Sequence, residues 1–100
     1  MSIVEIPLTS TAPHFSQEHV IFGRHYLLEF QWIEREHYWV MHVYDAAENP
    51  LALGLRMMLG WPIYQSSQGL TFFLVRTTPL VELSLASLHK DFMLVAHAAV

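Results

Sequence analysis

Two stretches of this chain alternate with a period of two, and that period restricts the fold more than any other feature. Along residues 24–32, Tyr26, Leu28, Phe30 and Trp32 share one face, while His25, Leu27, Glu29 and Gln31 share the other. Residues 38–44 alternate in the same way, with Trp39, Met41 and Val43 opposed to Tyr38, Val40, His42 and Tyr44. Successive side chains of a strand point to opposite sides, so each stretch reads as a half-buried strand. The segment IEREH between them supplies a polar connection at Ile33–His37, which makes the pair an antiparallel hairpin. Aromatic residues favour strands and pair across them, so Trp32 and Trp39 are expected close together beside the turn.

The rest of the chain continues the pattern. The motif DAAENP, ending at Asn49 and Pro50, is a second turn. In LALGLRMMLG the large residues Leu51, Leu53, Leu55, Met57 and Leu59 all occupy odd positions, and Gly54 disfavours a helix by ~1 kcal/mol. A third strand is therefore expected, giving a meander over residues 24–59. GWPIYQSSQG reads as a loop between Gly60 and Gly69, LTFFLV as a short buried strand, and DFMLVAHA as a terminal strand. LVELSLASLHK fits a strand breaking into a turn or a helix capped by Thr78, and the residues leave both open. Near the N-terminus, Pro7 and Pro13 bar residues 1–15 from a central strand, so they read as an extended arm with an edge strand near Ile3 to Leu8. The expectation is one all-β domain spanning residues 1–100. It is a small antiparallel sandwich or barrel of about six short strands, with a short helix or turn near residues 80–90. Its core is expected to include Phe30, Trp39, Met41, Val43, Leu55, Phe73 and Leu94.

Composition then bears on function. Charged residues make up 14% of the chain and hydrophobic ones 53%, against about 25% charged in an average soluble domain. A chain of this size buries roughly two thirds of its unfolded surface. With so few charges, part of the remaining surface is expected to be apolar, which marks a contact with a partner. The net charge is −4 and the five Lys and Arg form no cluster, which argues against nucleic acid. No uncharged apolar run approaches the ~20 residues of a spanning helix, and MSIVEIPLTSTAP lacks the pattern of a signal peptide, so no membrane partner is expected. With no cysteine, the chain has neither a disulfide frame nor a thiolate site.

The histidines and acids show no catalytic or metal-binding spacing. His14, His19, His25, His37, His42, His89 and His97 include neither His-x-His nor HExxH, and His37 and His42 have opposite parity on a strand. There is no GxSxG elbow, no phosphate-cradling glycine loop, and Glu34 and Glu36 lie in the hairpin turn. No cofactor, metal or catalytic residue is assigned. The elements least able to satisfy themselves are the arm, with Ile3, Ile6, Leu8 and Phe15, and the loop carrying Trp61, Ile63 and Tyr64. These seven are the candidate interface residues. Removing the arm, or Trp61→Ala, is expected to leave the fold intact and abolish assembly; the alternative is that Trp61 folds back onto the chain's own core, in which case Trp61→Ala unfolds.

The order of the elements resembles the small baseplate plug proteins of contractile-tailed bacteriophages. The resemblance runs through IPLTSTAPHFSQEHVIFG, YLLEFQW, HYWVMHVYDAAENP, GLRMMLGWPIY, GLTFFLV and LHKDFMLV, nearly the whole chain in sequence. It departs in the last third, where TP and SLHKD replace the family's DP and its glycine before the final strand. The resemblance implies a non-enzymatic virion component, synthesised in the host cytoplasm and incorporated into the tail baseplate. Its implied partners are the hub, tube-initiator and spike proteins, and self-association into a homo-oligomer is a further option. The competing reading is a small β-barrel module that binds a peptide or small ligand.

A ligand bound only by the native state raises the melting temperature. Neither zinc nor EDTA is therefore expected to move Tm in a thermal melt. A reproducible rise of several degrees with zinc would identify a histidine site.

Overall fold

The computed structural model describes residues 2–8, 10–60, 62–65 and 69–98. Among the described residues, eight strands and one short helix follow in chain order: β1 Ser2–Ile6, β2 His14–Ile21, β3 Arg24–Ile33, β4 Tyr38–Asp45, β5 Pro50–Arg56, β6 Tyr64–Gln65, β7 Leu70–Arg76, α1 Leu88–Asp91 and β8 Phe92–Ala98. They form two four-stranded antiparallel sheets, ordered β2-β3-β4-β5 and β1-β8-β7-β6. The sheets do not close on one another, so the fold is a sandwich and not a barrel.

The expected hairpin is present. β3 and β4 pair from Tyr26↔Asp45 to Ile33↔Tyr38, and the His37 N–H closes the turn on the Ile33 carbonyl at 2.8 Å. Trp32 and Trp39 are directly opposite, with ring centroids 5.7 Å apart in an edge-on arrangement. Leu28, Phe30, Trp39, Met41 and Val43 turn inward and meet Ile6, Phe72, Leu74, Leu94 and Ala96 of the other sheet.

Two strands are additional to the expected six. β2 was hidden because two of its inward positions, Gln17 and His19, are polar. The structure serves them locally: Gln17 Nε2 donates to the Pro7 carbonyl at 2.7 Å and lies 2.7 Å from His19 Nε2. Burial lowers the pKa of His19 below its ordinary value, consistent with a neutral ring at that position. Residues 14 and 15 thus belong to the meander sheet and not to the N-terminal arm. β6 occupies two residues of the segment read as a loop, held by Tyr64↔Phe72 and Gln65↔Thr71.

Two of the expected core residues are only half-buried. β7 buries Leu70, Phe72 and Leu74, so Phe73 lies on the opposite, outward face beside Val95. An unbroken apolar run carries no parity signal, which is why the sequence could not separate Phe72 from Phe73. In β5, Met41↔Leu55 and Val43↔Ala52 enclose two residues on one strand for one on the other. This bulge, with Gly54 at φ +70°, reverses the inward parity beyond it. Ala52 and Leu55 pack against the core, while Leu51 and Leu53 face out.

The segment left open between strand and helix is neither for most of its length. Its backbone is tied by the buried Ser87, whose hydroxyl donates to the Glu82 carbonyl at 2.8 Å and accepts from the Ser84 N–H at 2.8 Å. A single helical turn, α1, then places Leu88 in the core and leads into β8.

Truncating a buried Phe to Ala costs about 3–5 kcal/mol, a large part of the ~5–15 kcal/mol available to a typical domain. Phe30→Ala and Phe72→Ala are therefore expected to unfold or to melt far below the parent. Phe73→Ala is expected to melt cooperatively with a smaller loss, and urea titration of the three variants checks the assigned parity.

Candidate subunit interface

The exposed large apolar side chains fall into local groups and are not spread evenly. Ile3 (66% exposed) and Val4 (38%) lie on β1, at the edge of its sheet. Val20 and Phe22 lie at the tip of the β2–β3 hairpin. Leu51 and Leu53 lie on the bulged edge strand β5, and Leu80 projects from the segment before α1. Outward-facing Phe73, Val75, Met93 and Val95 add a further apolar area on the β7–β8 pair.

The seven residues singled out from the sequence occupy several different environments. Ile3 is exposed, but Ile6, Leu8 and Ile63 are buried in the chain's own core. Phe15 is half-buried, stacked on Phe30 at 4.9 Å and edge-on to Trp39 at 5.9 Å. Tyr64 leans on Phe72 at 5.7 Å, and burial, then the neighbouring Tyr26, raises its phenol above the ordinary value. Trp61 lies outside the described residues. The arm is no detachable tail, because β1 pairs over its whole length with β8 and Ile6 and Leu8 enter the core. Its deletion is expected to impair folding, and the sequence reading of a foldable arm-less domain is corrected accordingly.

Phe22 was missed from the sequence. The two-residue turn Phe22–Gly23 joins β2 to β3 with both residues at positive φ, 50° and 82°. That geometry favours Asn, Asp or Gly at both positions, and a bulky residue there is unusual. Phe22 borders a cleft of about 390 Å³ lined also by Ile21, Arg24, Tyr26, Leu70 and Ala98. An aromatic residue directly before Gly in a two-residue turn was the available signal.

The polar face of the meander sheet carries the most connected group of titratable side chains that the sequence did not single out. His14 on β2 hydrogen-bonds the Glu29 carboxylate on β3, and Tyr44 on β4 donates to its other oxygen at 3.1 Å. His42 Nδ1 accepts the Gly54 N–H at 2.9 Å and so ties β4 to the bulge in β5. These contacts link all four strands across one face. Among the described residues, no three His, Asp or Glu side chains are placed to hold a metal ion.

The fold is thus an open two-sheet sandwich with exposed apolar residues on two of its edge strands. The protein-family profile described as "Cyanophage baseplate Pam3 plug gp18" matches residues 3–96, and the chain belongs to that family. It is accordingly a phage baseplate structural protein. A search of curated proteins finds no match.

The Glu29 carboxyl titrates below its ordinary value of 4.5, first because His14 hydrogen-bonds it, with Tyr44 adding to the effect and burial opposing it. The unfolded chain holds that proton more tightly, so the group stabilises the fold above pH 4.5. That increment is lost as pH falls through the lower folded value. Glu29→Gln is expected to be less stable than the parent at pH 6 and to show a shallower acid-side decline, as read by urea midpoints between pH 6 and pH 3.

Proposed function

We propose that this chain is the plug subunit of a contractile-tail baseplate. It sits at the axis of the tail tip and contacts the tube-initiator, hub and spike proteins. Its role is to fill space and bind neighbours, with no catalytic step, and it is made in the host cytoplasm before incorporation into the virion. The observation that carries this reading is the family match over residues 3–96. The exposed apolar groups on two edge strands and a hairpin tip support it, because they offer contacts on a domain poor in charge.

Tail particles from the phage that carries this gene provide the test. Mass spectrometry of purified tails is expected to find the chain. Electron microscopy with a labelled antibody is expected to place it at the distal end, and disruption of the gene is expected to leave tails incomplete. Purified, infectious virions that lack the chain would overturn the proposal.

A further inference from the structure

The two sheets end in four edge strands: β1 and β6 on one, β2 and β5 on the other. A bare edge presents unpaired N–H and C=O groups, and proteins guard such edges with shortness, bulges, prolines or charges. Three of the four are guarded. β6 is two residues long. β5 begins at Pro50, is bulged, and has its Gly54 N–H occupied by His42. β2 carries Glu18 and the exposed His14 outward, and its inward row includes the polar Gln17 and His19, with the Gln17 amide bonded to the Pro7 carbonyl.

β1 has neither a bulge nor a proline within it. Its five residues run in unbroken register against β8, from Ser2↔Ala98 to Ile6↔Leu94. It contains no Lys or Arg, and Glu5 is its one charge. Ile3 is exposed on the outward face. Val4 shares its inward parity with Ile6, yet it is 38% exposed where Ile6 is 2%. The core-facing row is thus open at this edge, and a further strand beyond β1 would cover Val4 on one side and Ile3 on the other.

We propose that β1 is the acceptor edge for a strand donated by a different, neighbouring baseplate subunit, extending the β1-β8-β7-β6 sheet by strand addition. The inference rests on the baseplate reading above. The donor is an extended segment with aliphatic residues on both faces, to cover Ile3 and Val4, and a cationic or hydroxyl side chain opposite Glu5. Size argues against a second copy as the occupant. Five residues span roughly 17 Å, and a sandwich about 10 Å deep at its edge gives roughly 200 Å² per partner. A stable dimer needs about 800 Å² per partner. A contact this small holds only where the donor is positioned by other contacts, as in an assembled baseplate.

Hydrogen exchange followed by mass spectrometry, on the isolated chain and on purified tails, tests the proposal without a mutation. Amides of residues 2–6 are expected to exchange at least about tenfold more slowly in tails than in the free chain. Equal exchange in a chain that is present in tails overturns the strand addition and leaves the baseplate reading standing. A chain absent from tails sinks both. In a second arm, Val4→Lys places a charge on the inward row of the edge. It is expected to keep the parent's circular dichroism and to lose at least about tenfold in incorporation, whereas Leu53→Lys on the bulged edge incorporates normally. A folded Val4→Lys that incorporates at the parental level overturns the proposal. So does light scattering that shows a dimer of the isolated chain abolished by Val4→Lys, since the occupant would then be a second copy.

Discussion

The burial of one indole, Trp39, ties the meander sheet to the irregular segment before α1. Its ring is 1% exposed, stands edge-on to Phe15 of β2 and Trp32 of β3, and packs in the core cluster. A buried indole N–H needs an acceptor, and the Ser84 carbonyl provides it at 2.9 Å. The backbone carbonyl of Trp39 accepts the Met57 N–H at 2.9 Å. One residue therefore joins three strands, the chain leaving β5 and the irregular segment before α1. That segment has little regular structure of its own and is shaped by this bond and by the hydroxyl of Ser87.

The bulge in β5 has the opposite effect, because it decides what stays outside. Without it, Leu51 and Leu53 would share the face of Leu55 and enter the core. With one extra residue opposite His42, Ala52 faces inward and the two leucines face solvent on an edge strand. The His42 ring then holds the bulge by accepting the Gly54 N–H. The same residues that make the surface apolar at this edge also make it irregular, so it is sticky without being a template for strand pairing. β1 is the reverse case, being regular and charge-poor. The two edges therefore suit different contacts, side chain against side chain at β5 and backbone against backbone at β1.

Where the chain alternates, its structure was legible before any coordinates. Leu28, Phe30, Met41 and Val43 are inward, and Trp32 faces Trp39, because period and turn length are local properties. The same logic failed where alternation was absent or misleading. Phe72 and Phe73 are equivalent in an unbroken apolar run, and Gln17 and His19 disguised an inward row. The interface candidates were least legible. Ile6, Leu8 and Ile63 are apolar residues near turns or prolines, and nothing local separates one that folds back into the core from one that stays outside.

An all-β chain, its central hairpin and its shortage of charge are already written in the order of the residues. Each of these depends on residue type and short-range spacing alone. The packing of distant segments is what leaves the sandwich open, closes β1 on β8, and keeps Val4 half-covered while Ile6 is sealed. Exposure is a relation between segments distant in sequence. It is set by which strand is opposite and which edge has no neighbour, and no periodicity within one segment records that.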